Sequence, residues 1–305
     1  MSIPILDLTP LFEGDTDALA RDFLRAYGET GFAYITGHGI APSLIEDVFE
    51  ASRQFHALPQ SEKMKIALDR NHRGFIAMDT STDVNSTLAE VTKPNRSESF
   101  MMMREDATET AGFLSGPNQW PNLPDFRATL EAYNAAMCRL AHQLIRLAAQ
   151  CLGEGPDALT QHFQPPTTWL RLLYYPSTDP AETDLYGSAP HTDFGALTIL
   201  AQDPVGGLQV QTPAGQWIDA PPMEGAFVVN VGDMLNLWSG GRLRSTPHRV
   251  INASGRARYS VPFFYDPNVN ATITPLTGDK TPVHFGTFLR DELGAAYDAH
   301  KGETP

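Results

Sequence analysis

The chain has 305 residues, 42% hydrophobic and 19% charged, with a formal net charge of −14. Such a composition suits a folded globular protein large enough for a substantial core. The acidic balance argues against nucleic acid and anionic membrane surfaces as partners, since both reward a clustered basic patch, and Arg242, Arg244 and Arg249 are interleaved with apolar residues instead.

The opening MSIPILDLTPLFEGD has neither the basic start nor the apolar run of a signal peptide. No stretch approaches the roughly 18 apolar residues of a membrane span. Residues 15–31 carry a helical pattern ending at a glycine, and FAYITGHG (32–39) reads as a strand. A second helix is expected over 43–58, with Ser43 as N-cap and Pro59 just beyond its end. Residues 79–122, rich in Ser, Thr, Asn, Pro and Gly, read as long loops around a short strand at 97–103.

The clearest helix spans 124–152, where Leu130, Tyr133, Met137, Leu140, Leu144, Leu147 and Cys151 recur at spacings of three and four and form one apolar stripe. Its two cysteines, Cys138 and Cys151, fall about 13 residues apart. At 1.5 Å per residue that is roughly 20 Å, too far for a disulfide. Reduced thiols point to the cytoplasm.

After residue 167 the pattern turns to β. TWLRLLYYP, HTDFGALTILAQD, GLQVQT, GQWIDA, AFVVNVGDMLNLW, RSTPHRVI and ARYSVPFFY are short β-branched or aromatic runs separated by Gly and Pro turns. Many short strands without intervening helices imply a sandwich or barrel such as a jelly roll. A closing helix is expected at 284–299. The expected fold is thus one domain over 1–305, mainly β with a helical buttress. It comprises a helical and loop region (1–120), a supporting helix (124–152), a jelly-roll core (167–267) and the closing helix.

His191 and Asp193 form His-x-Asp, which on a strand would place both side chains on one face. With nine histidines and 36 acidic residues, about one such pair arises by chance, so the dipeptide alone also fits an ordinary hydrogen-bonded histidine. Two imidazoles and a carboxylate make a facial metal site with open positions. His248, in a strand-like run after Gly240–Gly241, is the candidate third ligand. Arg258 and Ser260 share a face of the following strand, and an inward arginine there asks for an anion. A structural carboxylate would serve equally. His38 reads as a turn-packing residue, and His56, His142 and His162, in helical patterns, as surface or interhelix residues.

Taken together, His191-x-Asp193, His248 and Arg258-x-Ser260 resemble the iron(II)/2-oxoglutarate dioxygenases, in particular the isopenicillin N synthase-like branch. IPILDL, GFAYITGHGI, LRLLYYP, HTDFGALTIL, GGLQV, VNVGDMLNLWSGG, STPHRVI and RYSVPFF look like that branch's segments along nearly the whole chain. The resemblance implies a double-stranded β-helix core of cupin-like, jelly-roll form. It also implies iron(II) on His191, Asp193 and His248, with dioxygen and 2-oxoglutarate as co-substrates. Arg258 and Ser260 would hold the distal carboxylate of 2-oxoglutarate. Tyr175 matches a tyrosine near the co-substrate, although a core aromatic fits equally. Leu173 stands where the family often has Asn, and Gly240 where Asn is common.

The implied reaction oxidises a C–H bond of a small organic molecule by hydroxylation, desaturation or ring closure, with succinate and CO2 as co-products. The rivals are an iron oxidase of the same branch that does not use 2-oxoglutarate, a metal-dependent isomerase and a non-catalytic binding barrel. Phe264 falls on the Arg258 face of its strand, roughly 13 Å beyond Ser260 at about 3.3 Å per residue. It is a candidate chamber wall or a plain core residue. Arg96, Ser99, Met101 and Met103 are candidates for the opposite wall, with Arg96 able to meet an anionic group; a buried strand explains the methionines equally. Neither the substrate nor the oligomeric state is written in the sequence.

Overall fold

The computed structural model describes residues 2–81, 88, 91, 93–105, 112–177 and 185–296. The first half supplies β1 (Ile5–Asp7), α1 (Thr9–Glu13), α2 (Asp17–Glu29), β2 (Phe32–Thr36), α3 (Pro42–His56), α4 (Gln60–Lys63), β3 (Gly74–Ile76), β4 (Glu98–Met103) and α5 (Phe126–Cys151). The second half is built from β5 (Thr167–Tyr175), β6 (Ser188–His191), β7 (Leu197–Gln202), β8 (Leu208–Gln211), β9 (Trp217–Asp219) and β10 (Phe227–Val231). It continues with α6 (Asp233–Trp238), β11 (His248–Val250), β12 (Arg258–Asp266), β13 (Thr272–Ile273), β14 (Val283–His284) and α7 (Phe285–Ala296).

An eight-stranded sheet runs β1-β2-β10-β7-β12-β5-β4-β3, and a four-stranded sheet runs β6-β11-β8-β9. This is the mainly β, double-stranded β-helix architecture with a helical buttress that the sequence predicts. Strand alternation divides the large sheet into two faces. Along β12, Val261, Phe263 and Tyr265 join the core under the helices, while Arg258, Ser260, Pro262 and Phe264 line the space between the sheets. Phe32, Tyr34, Leu173, Tyr175 and Val228 of the large sheet meet Leu208, Val210 and Val250 of the small one in a second apolar cluster.

Helix α5 buries the whole predicted stripe, from Leu130 to Cys151. Its two cysteines are free thiols. Helix α3 starts earlier than expected. Ala41 rather than Ser43 takes the N-cap position, with Pro42 in the first turn. Proline suits that place because its missing N–H would have no helical partner there and its φ is already set.

Two β runs are interrupted where the site lies. Residues 192–196 are a turn between β6 and β7, and Asp233–Trp238 is a short helix rather than the end of a strand. His56 is also not a surface or interhelix residue. It is buried, 2.8 Å from Glu98 Oε1 and 3.1 Å from the Leu172 carbonyl oxygen. Lys63 Nζ lies 2.5 Å from the same Glu98 oxygen. A buried carboxylate needs such partners, and periodicity gave no sign of one facing α3. The expected closing helix is described as far as Ala296; residues 297–299 lie outside the described part.

Leu144 of α5 is fully buried against the large sheet. Leu144→Ala should lower stability by about 2–5 kcal/mol, read as an earlier midpoint in urea unfolding with little change in slope.

Candidate metal centre

His191 ends β6 and stands directly opposite His248 of β11 in the antiparallel register. Their ring centroids are 4.2 Å apart. Asp193 comes from the turn, so a bend, not strand alternation, brings it to His191. Nε2 of each histidine lies 3.7 Å from Asp193 Oδ1. One ligand atom from each residue falls within 4.8 Å of the other two, an arrangement that could hold a metal ion.

The surroundings orient all three side chains. His191 Nδ1 donates to the Ala189 carbonyl oxygen at 2.7 Å, and His248 Nδ1 to that of Thr246 at 3.3 Å. Because a carbonyl only accepts, Nδ1 carries the proton and the Nε2 lone pair points to the centre. Asp193 Oδ2 accepts from Asn230 Nδ2 at 2.7 Å and from Thr198 Oγ1, leaving Oδ1 on the histidine side. Burial by itself would push this carboxyl up. The two histidines and the two donors outweigh it and hold Asp193 below the usual carboxylate range.

The turn is clamped from two sides. Asp233 N donates to the Asp193 carbonyl at 2.7 Å, Met234 N to that of Gly195 at 3.0 Å, and Thr192 Oγ1 to the Asp233 carboxylate at 2.9 Å. On the other side Asp266 accepts from Ala196 N at 2.8 Å and Trp169 Nε1 at 3.0 Å. Burial pushes the Asp266 carboxyl up to about 7 despite those donors. Only glycine fits at 195, since a Cβ there would come 1.6 Å from Asp266 Oδ1.

Between the sheets a cavity of about 560 Å3, counting its open mouth, joins His191, Asp193 and His248 to Arg258 and Ser260. Arg258 is 0% exposed. Its Nη1 donates to Ser260 Oγ and its Nη2 to Gln202 Oε1, both at 3.2 Å, and its guanidinium lies 4.7 Å from the Tyr175 ring centroid. Tyr175 thus offers a ring face to the cation and, with Leu173, lines the cavity. Nε has no partner, and no carboxylate among the described residues pairs with this arginine. A fully buried guanidinium satisfied only by neutral oxygens is a receptor for an anion, and a dicarboxylate with a keto-acid end fits a cavity that also reaches the three ligand side chains.

A second cavity, of about 640 Å3 with its mouth, also reaches His191 and Asp193. Phe264, Arg171, His191 and Asp193 line both cavities. Of the predicted opposite wall, Met101 lines this chamber and Ser99 accepts a hydrogen bond from Arg171 Nε at 2.8 Å. Met103 and Arg96 do not line it. Met103, two residues further along β4, lines a separate cleft with Arg73 and Arg104. Arg96 is 46% exposed and pairs with Asp79 at 3.0 Å. Sequence reasoning missed Thr198, Asn230, Gln202, Arg171 and Asp266. Asn230 and Thr198 do alternate inward on strands, which was the available signal; Asp266 gave none.

Residues 166–267 match the family described as the 2OG-Fe(II) oxygenase superfamily, and residues 3–123 match the one described as non-haem dioxygenase in morphine synthesis N-terminal. The chain belongs to the 2OG-Fe(II) oxygenase superfamily and is a 2-oxoglutarate-dependent dioxygenase, an oxidoreductase that uses iron(II), 2-oxoglutarate and O2. It is 36% identical to a homoarginine-6-hydroxylase of Glycine max, over 92% of this chain and 90% of that one. It is 38% identical to the 2-oxoglutarate-Fe(II) type oxidoreductase hxnY of Emericella nidulans, over 87% and 79%. Among solved structures, a full-length Neurospora crassa protein in complex with alpha-KG and thymine superposes with a TM-score of 0.85 at 29% identity, covering 96% of each chain.

Asn230→Ala should leave the fold intact but free the Asp193 carboxylate to rotate. Metal affinity should fall about 10–100-fold, measured by anaerobic titration with Fe(II) and followed by calorimetry.

Proposed function

We propose that His191, Asp193 and His248 hold the iron, and that Arg258 and Ser260 receive the distal carboxylate of 2-oxoglutarate. The observation that carries this reading is the single cavity between a buried guanidinium without a carboxylate partner and three convergent ligand side chains. Iron bound there supplies the activation of O2 against the keto acid, with succinate, CO2 and an oxidised substrate C–H bond as the outcome.

The remaining work belongs to the chain. Arg258 and Ser260 fix one end of the co-substrate, and Gln202 and the Tyr175 ring keep the guanidinium aimed into the cavity. Leu173, Leu200, Leu208 and Val250 give that cavity apolar walls, which exclude water and strengthen each charge contact inside. The backbone carbonyls of Ala189 and Thr246 hold the protons on the histidine Nδ1 atoms. The substrate enters from the second chamber, with Phe264 and Met101 as walls, so that its reacting C–H faces the metal from the side opposite the anion anchor.

The N-terminal family match supports placing the protein in the isopenicillin N synthase-like branch, working as one domain. The substrate is a small organic molecule; relatives carry names such as homoarginine-6-hydroxylase and clavatol oxidase. No described helix is long and apolar enough to cross a membrane. With two free thiols and an acidic chain, this supports a cytoplasmic enzyme that binds neither membrane nor nucleic acid.

Asp193→Ala should abolish iron retention and turnover while far-UV circular dichroism stays unchanged; turnover near the parent rate would remove the assignment. Arg258→Gln should weaken 2-oxoglutarate binding by about tenfold to a hundredfold, the loss of one charge-assisted contact of roughly 1.5–3 kcal/mol. Unchanged 2-oxoglutarate affinity in that variant would remove Arg258 from the co-substrate assignment.

A further inference from the structure

The second chamber has a cation, Arg171, in its wall. Arg171 lies on β5, four residues from Tyr175 and two from Trp169, so alternation turns all three toward the space inside the fold. Tyr175 stacks on Arg258 at the co-substrate end, and Trp169 hydrogen-bonds Asp266 at the other. Arg171 stands between them, half-buried, and lines both cavities beside His191 and Asp193. Among the described residues its side chain makes one hydrogen bond, from Nε to Ser99 Oγ at 2.8 Å. That contact holds the stem and leaves both terminal nitrogens, with four N–H donors, for another partner.

No described carboxylate takes that place. The chamber has two acids in its wall, Asp193 and Asp266, and both are committed. Asp193 Oδ2 serves Asn230 and Thr198 while Oδ1 faces the histidines. Both Asp266 oxygens accept from Ala196 N and Trp169 Nε1. Elsewhere the arginines Arg25, Arg53, Arg96, Arg127 and Arg146 pair with nearby carboxylates. A chain with 36 acidic and 22 basic residues supplies acids readily, yet among the described residues none pairs with Arg171. Around it the walls are apolar and partly aromatic: Trp169, Phe264, Phe194, Met101 and, from α7, Leu289 and Leu293.

Building on the function proposed above, we propose that Arg171 is the anion anchor of the substrate chamber, so that the substrate is a small carboxylate with an apolar, preferably aromatic, body. The guanidinium fork binds the carboxylate through its terminal nitrogens, the geometry in which arginine outperforms lysine. The body then lies against the neighbouring Trp169 and Phe264 side chains, paired across β5 and β12, with a C–H bond turned to the His191–Asp193 side.

The test uses the full chain with Fe(II) under anaerobic conditions, with and without 2-oxoglutarate, and calorimetry as readout. The probes are phenylacetate, indole-3-acetate and hexanoate, each compared with its own primary amide. At least one acid should bind in the millimolar range or better, with its amide weaker by about tenfold or more. Arg171→Gln should erase that preference, Arg171→Lys should keep part of it, and neither should change 2-oxoglutarate affinity more than about twofold. The proposal is overturned if no acid binds, if acid and amide bind alike, or if the preference survives in Arg171→Gln. It is also overturned if that variant loses 2-oxoglutarate affinity by tenfold, which would assign Arg171 to the co-substrate. Because the acid–amide comparison is also made without 2-oxoglutarate, failure of 2-oxoglutarate to bind would count against the co-substrate reading alone.

Discussion

The turn at residues 192–196 governs the rest of the site. Two of the three convergent side chains, His191 and Asp193, flank Thr192, and a turn in isolation would let them point apart. Here the backbone N–H groups at the start of α6 bind the turn's carbonyls on one side, and the Asp266 carboxylate binds Ala196 N on the other. Each clamp comes from a different part of the chain. The centre can therefore form only once β10, β12 and the small sheet have come together, which ties the chemistry to the completed fold. The space that a side chain at Gly195 would need is taken up by Asp266 itself.

Charge follows a related rule. Burying an ion without compensation is unfavourable, and the protein leaves compensation incomplete where a ligand can complete it. Asp193 is compensated by histidines and two neutral donors, and Arg258 by Ser260, Gln202 and the Tyr175 ring, without a protein carboxylate beside that guanidinium. By contrast the His56–Glu98–Lys63 cluster, which is equally buried, is internally complete. It braces α3 and α4 against β4 and β5 and leaves no carboxylate waiting for a partner. An incomplete buried charge marks a place for a ligand, and a complete one marks support.

Much of this was legible in the sequence, and the gaps have physical reasons. The α5 stripe and the β character after residue 167 follow from periodicity, which reports burial directly. His191, Asp193, His248, Arg258 and Ser260 stand out only as a joint pattern that resembles a known family, since the His-x-Asp pair alone is expected about once by chance. The exact ends of elements were harder. The Asp233–Trp238 helix reads as a strand because it is only six residues long and its start depends on hydrogen bonds to a turn about 40 residues away. Arg96 comes just before the short strand β4, and Arg171 lies within β5. Which one turns inward is decided by strand register, Met101 lying opposite Arg171, and register is a tertiary property. Asp266 is invisible to pattern reading, since its partners Ala196 and Trp169 are brought to it only by the pairing of three strands.

Strand β12 separates two kinds of inheritance. Its odd-numbered residues 261, 263 and 265 belong to the apolar layer beneath the helices, and its even-numbered residues 258, 260, 262 and 264 face the cavity. Substitutions at one set scarcely touch the other, because the sheet lies between them. A change at position 264 reshapes the walls of both cavities, while the odd-numbered neighbours keep the apolar layer beneath the helices in place. The change that defeats this separation is an insertion or deletion of a single residue within the strand, which would exchange the two faces at once.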